Sequence, residues 1–176
     1  YYGGYKTAAC VGSMTQGRPA ENVLRQDALL MVLRAAGKTD AELSGDCGSS
    51  ASGVGEISPY AVCAVHVAQK SGLNLSGSMT APADRLEISK WLVKLLNLQA
   101  PDTVEASSIL NGYIDVAGLD MATKTMVATV VEGKLMVGNV SGGIARFQPD
   151  AAVTRASLAV ILEKVLGLKG TLPESC

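Results

Sequence analysis

One local pattern occurs three times in this chain, and it constrains the fold more than any single residue does. Each copy sets a Gly, four residues and another Gly (Gly12/Gly17, Gly72/Gly77, Gly133/Gly138) ahead of an Arg that opens an apolar-periodic segment. The arginines, Arg25, Arg85 and Arg155, stand 60 and then 70 residues apart. A pattern recurring at this spacing marks a unit too small to bury its own apolar face, which must therefore stack on its neighbours.

Aligned on the arginines, the segments RQDALLMVLRAAG, RLEISKWLVKLLN and RASLAVILEKVLG are apolar three residues on, at Ala28, Ile88 and Leu158. They are apolar again at six and seven, at Met31/Val32, Trp91/Leu92 and Ile161/Leu162. That is the stripe of an amphipathic helix. A base nine residues on (Arg34, Lys94, Lys164) suits the negative end of the helix dipole, and Gly37, Asn97 and Gly167 are residues that a left-handed C-cap accepts. Asp84 and Thr154 are good N-caps, and Asp84 with Glu87 has the form of a capping box. Leu24 cannot cap, so the first of these helices must begin differently.

A second helix is expected ahead of each Gly pair. Ser58-Pro59 supplies an N-cap and an N1 proline for a helix over Tyr60 to Ser71, which Gly72 ends. Thr125 to Val131 reads by propensity as a strand, with a hairpin turn at Glu132-Gly133. Its place in the repeat makes it helical instead. Only Tyr1 to Val11 precede Gly12, so the first copy has a short opening helix or has lost its beginning. The expected fold is all-α: three helix-loop-helix repeats forming a pseudo-threefold bundle with a central three-helix core. The repeats are residues 1–37, 38–97 and 98–168, with a tail at 169–176, together one compact domain.

At 176 residues and 48% apolar content the chain has material for one sizeable core, and with only 4% aromatic residues that core is aliphatic. A net charge of -1, with no basic run interleaved with aromatics, argues against a nucleic-acid surface. No apolar stretch approaches the roughly 20 residues that a membrane span requires, so a soluble chain without a membrane span is expected. The start at Tyr1 rather than Met suggests a mature or trimmed form.

The cysteines are Cys10, Cys47, Cys63 and Cys176. They form no CxxC pair, and the single histidine, His66, lies within a helix, so a zinc site would need distant parts to converge. An even count in a chain that looks exported reads better as two disulfides. Of the three possible pairings we favour Cys47 with Cys63, closing the Gly/Ser-rich linker, and Cys10 with Cys176, tying the termini. Cys176 also leaves the option of an intermolecular bond.

These residues carry a resemblance. The third copy, ARFQPDAAVTRASLAVILEKVLGL, resembles the signature half of an S-layer homology repeat, in which an aromatic-x-Pro segment leads to a Thr-Arg-Ala-Glu motif heading a helix. Tyr113-Ile114-Asp115-Val116 resembles the opening of such a repeat, and Glu132 to Gly138 its mid-repeat Gly loop. Leu24-Arg25-Gln26-Asp27 and Asp84-Arg85-Leu86-Glu87 match more loosely. The resemblance implies a three-repeat module that anchors exported proteins, at the cell surface and without a covalent bond, to an anionic cell-envelope polysaccharide, often one bearing pyruvate ketals. It implies glycan contact by Arg25, Arg85 and Arg155 in grooves between repeats, with Asp27 and Glu87 at the acidic motif position and Thr154 at the Thr position. Ser157 departs from the acidic position, and Leu24 and Asp84 from the Thr position.

An Arg in the first turn of a helix opposes the dipole, so three in register need a reason. Two stand open: a bidentate contact to an anionic sugar, or a bridge to an acid of the adjacent repeat. Bridging suits Arg25 better. Trp91 is expected in the core. No base, nucleophile and orienting acid converge on His66 and no paired carboxylates appear, so no enzyme and no cofactor are expected. The competing function is structural: a subunit that self-assembles into an extracellular sheet or filament.

Overall fold

A computed structural model describes residues 18–44, 47 and 52–168. In chain order the elements are α1 (Arg25–Ala35), α2 (Asp40–Ser44), a 3-10 turn at Pro59–Ala61 running into α3 (Val62–Lys70), and α4 (Arg85–Leu95). They continue with α5 (Thr103–Ile109), α6 (Met121–Glu132), a hairpin of β1 (Asn139–Ser141) and β2 (Ile144–Arg146), and α7 (Arg155–Leu168). The chain is thus mostly helical. The hairpin corrects the all-α expectation.

Each of the three arginines opens a helix, and the apolar position three residues on is fully buried in all three, at Ala28, Ile88 and Leu158. Helix α1 packs against both α4 and α7, α4 packs on α6, and α3 packs on α1. Trp91 is buried at 3% exposure, a core residue as expected. The segment from Thr125 to Val131 lies inside α6, whose N-cap Asp120 accepts from the Thr123 amide. Tertiary context overrides strand propensity there.

The helix starts are joined by a closed cycle of backbone hydrogen bonds. The Val23 amide donates to the Val153 carbonyl, Val153 to Ala83 and Ala83 to Val23, each at 2.9 Å. One turn outward, Arg25 donates to Ala81 (2.8 Å), Arg85 to Ala151 (3.1 Å) and Arg155 to Glu21 (2.9 Å). Next to these, Gln26 donates to Met79, Leu86 to Pro149 and Ala156 to Pro19. A helix leaves its first amides without intrahelical partners. Here carbonyls from the strand-like residues ahead of another of the three helices satisfy them, which explains how α1 begins after Leu24 with no side-chain cap.

Other helix ends follow the sequence less closely. Gly37 (φ 97°) and Asn97 (φ 50°) take the left-handed conformation expected of them, whereas α7 runs through Gly167 to Leu168. Asp84 accepts from the Glu87 amide at 2.7 Å. The Glu87 carboxylate does not turn back to complete a capping box, because Arg25 holds it. The complete box stands at Asp102 and Glu105, heading α5. In the third segment two helices, α5 and α6, precede the Gly loop, and the hairpin lies in the stretch that makes the second Arg spacing the longer one. Gly138 is required there: a Cβ would run into the Tyr113 ring and stand 2.6 Å from the Arg146 carbonyl oxygen.

Candidate functional site

The backbone cycle places Arg25, Arg85 and Arg155 at three similar junctions, each reaching from the first turn of one helix toward another of the three. Their chemistry differs. At the first junction Arg25 grips Glu87 with two nitrogens, Nε at 3.1 Å and Nη2 at 2.5 Å, while Nη1 donates to the carbonyls of Ser76 and Ser78 at 2.8 Å. Gly77, at φ 72°, turns the loop so that both carbonyls face the guanidinium. The Arg25 side chain keeps 11% of its exposure. It is a brace between segments, the role that its sequence favoured.

At the junction of Arg155 the acid is Asp27, whose Oδ2 lies 3.9 Å from Arg155 Nη1. Asp27 also accepts from the Tyr60 hydroxyl at 2.6 Å. Burial first, and then the Asp27 carboxylate, push the Tyr60 hydroxyl above the ordinary tyrosine range. Beneath them Gln26, 2% exposed, accepts from the Ser58 amide and donates to the Ser58 and Tyr60 hydroxyls. This buried amide fixes α1 to the start of α3, and the apolar periodicity gave no hint of it. Thr154 caps α7, accepting from the Ser157 amide at 3.2 Å, and its hydroxyl also meets that of Ser157 at 2.9 Å.

At the remaining junction Ser157 stands where Glu87 and Asp27 stand at the other two. Arg85 instead donates from Nε to the Phe147 carbonyl (2.7 Å) and from Nη2 to the Val137 carbonyl (2.8 Å). Its guanidinium carbon lies 4.7 Å from the centroid of the Phe147 ring, a cation–π contact. Burial holds its pKa below the usual arginine value, against the opposing pull of Asp115. Asp115 accepts from the amides of Phe147 and Gln148 and so fixes the loop that carries the ring.

A groove of about 500 Å³ opens beside Arg25 and Glu87, with Asn74, Lys90 and Lys94 on its walls and Met126 of α6 opposite. That volume lies within the range of small-molecule sites. A second cavity, of about 540 Å³, adjoins the Cys47–Cys63 disulfide and is lined by Lys38, Glu42, His66 and Lys70. Its acid is already engaged: the Thr39 amide, the Lys38 ammonium and the Thr39 hydroxyl hold the Glu42 carboxyl down at about 2. The expected Cys47–Cys63 bond is present, while Cys10 and Cys176 lie outside the described residues.

The structure therefore sets Arg25 on Glu87 and Arg155 near Asp27, and places Arg85 on carbonyls and a ring. Of the groove residues, Lys90 escaped the sequence reading; its one signal was its i,i+4 relation to Lys94. Among the described residues no helix is long and apolar enough to cross a membrane. No known protein family matches the sequence, and no curated protein matches it.

Proposed function

We propose that this chain is a non-covalent anchoring module of the cell surface, which binds an acidic envelope polysaccharide in grooves between three helical repeats arranged with approximate threefold symmetry. The observation that carries the reading is the cyclic set of backbone bonds among residues 19–26, 79–86 and 149–156. It gives three junctions of one backbone form, each with an arginine, whose permanent charge and forked donors favour an anion. The central bundle of α1, α4 and α7 and the repeat limits 1–37, 38–97 and 98–168 belong to this proposal. So does an extracellular location, with which the disulfide agrees.

Calorimetric titration with purified envelope polysaccharide tests it. Arg155, whose acid stands at the longer distance, is the arginine to vary. Arg155→Ala weakens binding by about 1.5 to 3 kcal/mol, the range for a hydrogen bond to a charged group, with the fold intact. Unchanged affinity would remove the arginine from the ligand contact.

One observation favours the alternative of self-assembly. Ile114, Val137, Val140 and Ile144, each 44% to 67% exposed, lie on or beside the hairpin, and the Ile114 amide donates to the Ala145 carbonyl next to Ile144. Sedimentation of the purified chain over a concentration series separates the readings, because an assembling subunit grows without any polysaccharide.

A further inference from the structure

We infer that the anion receptor of the first junction is a pair of lysines, Lys90 and Lys94, on the groove wall of α4, and that Arg25 shapes the groove without binding the ligand. The inference rests on the polysaccharide reading and adds to it the residues, the junction and the ligand chemistry.

Lys90 and Lys94 are four residues apart on α4, so they share one helix face, and both line the groove. Like charges at that spacing repel and weaken a helix. Among the described residues neither lysine makes an ion pair or a hydrogen bond, so no partner among them relieves the repulsion. Among the described residues the only carboxylate on the groove walls is Glu87, and both of its oxygens are on Arg25.

Comparison along the sequence isolates α4 further. The base nine residues after each helix-opening arginine is Arg34, Lys94 or Lys164. Arg34 pairs with Asp40 at 3.0 Å, and Lys164 donates to the Lys134 carbonyl at 2.9 Å. Among the described residues Lys94 alone of the three has no such partner. Five residues after the arginine the others have Leu30 and Val160, and only α4 has a lysine. Among the described residues the groove thus has two uncompensated ammonium groups on one helix face, with Asn74 among the lining residues. A ligand with two anionic groups along an extended chain matches two ammonium groups one helical turn apart, a rise of about 6 Å over four residues. The ligand class is an acidic glycan whose charges repeat along the polymer. Carboxylates and phosphodiesters share this chemistry.

Titration of the full disulfide-bonded chain with polygalacturonate and, separately, with poly(glycerol phosphate) tells the two sources apart and tests the site. Lys90→Gln/Lys94→Gln lowers affinity at least tenfold for whichever polymer the native protein binds, and the remaining binding depends less steeply on salt. Lys38→Gln/Lys70→Gln removes the same net charge from the other cavity and changes affinity less than twofold. Without ligand, the Lys90/Lys94 variant melts no lower than the native chain, since no contact is lost, which separates lost binding from lost folding. Equal losses in the two double variants, or none in either, overturn the lysine site. If the lysine variant binds as the native chain does while Arg85→Ala or Arg155→Ala does not bind, polysaccharide binding stands and this inference falls. If the native chain binds neither polymer nor purified envelope polysaccharide, both fall.

Discussion

Arg25 and Arg85 enter their junctions along the same backbone path, and the residue two places after the next helix-opening arginine decides what each does. Where that residue is Glu87, the arginine is neutralised within the chain and tied to two carbonyls at once. Where it is Ser157, the arginine settles on the Phe147 ring and two carbonyls, and no carboxylate of the motif reaches it. The register of the chain positions the charge, and one side chain on the neighbouring helix decides whether a carboxylate or carbonyls and a ring meet it.

The largest expected effect probes the brace. Arg25→Met leaves Glu87 partly buried without its partner and frees two carbonyls, which costs about 3 kcal/mol, toward the lower end for breaking a buried pair. For a chain of this size that lowers the melting temperature by about 6 to 12 °C. Arg155→Met, which loses a longer and partly exposed pair at 3.9 Å, costs less, about 1 kcal/mol. Thermal melts of the two variants side by side check the contrast, and equal losses would break it.

A smaller effect is expected in the opposite direction. Ser157→Glu supplies the acid missing beside Arg85 and places a carboxylate in the first turn of α7, where the helix dipole favours it. The expected gain is about 0.5 to 1 kcal/mol, read as a higher urea midpoint at unchanged slope. A destabilised variant would mean that Ser157 does not face Arg85 as Glu87 faces Arg25.

How much of this the sequence disclosed depended on whether the signal was periodic. Ala28, Ile88 and Leu158 recur in step, so their helices and core faces could be read directly. The hairpin could not, because Asn139 to Arg146 is too short and exposed to show alternation; its one mark was Gly142-Gly143, both at positive φ, the pair that a tight hairpin turn favours. The groove was invisible for another reason. Lys90 and Lys94 acquire meaning only when Asn74 and Met126, distant in sequence, form the other walls. Glu87 reads as a cap residue until Arg25 is seen to take it.

The smallest expected effect is a pH dependence at the Arg155 junction. Tyr60 titrates higher in the folded chain than in the unfolded one, because it is desolvated and donates to Asp27. Its contribution is complete below the ordinary tyrosine pKa of about 10 and is lost as pH rises above that value toward the raised one. Tyr60→Phe removes this alkaline slope from a stability-versus-pH curve, and Arg85→Met leaves it in place.

Whether the junctions receive an anionic polymer is decided by equilibrium binding of the intact chain to purified acidic envelope polysaccharide at low and at physiological salt. Binding that weakens steeply as salt screens the charges, and that fails for the same polysaccharide with its acidic groups removed, is the predicted result. Binding indifferent both to salt and to those groups, or no binding while the chain assembles alone, would contradict it.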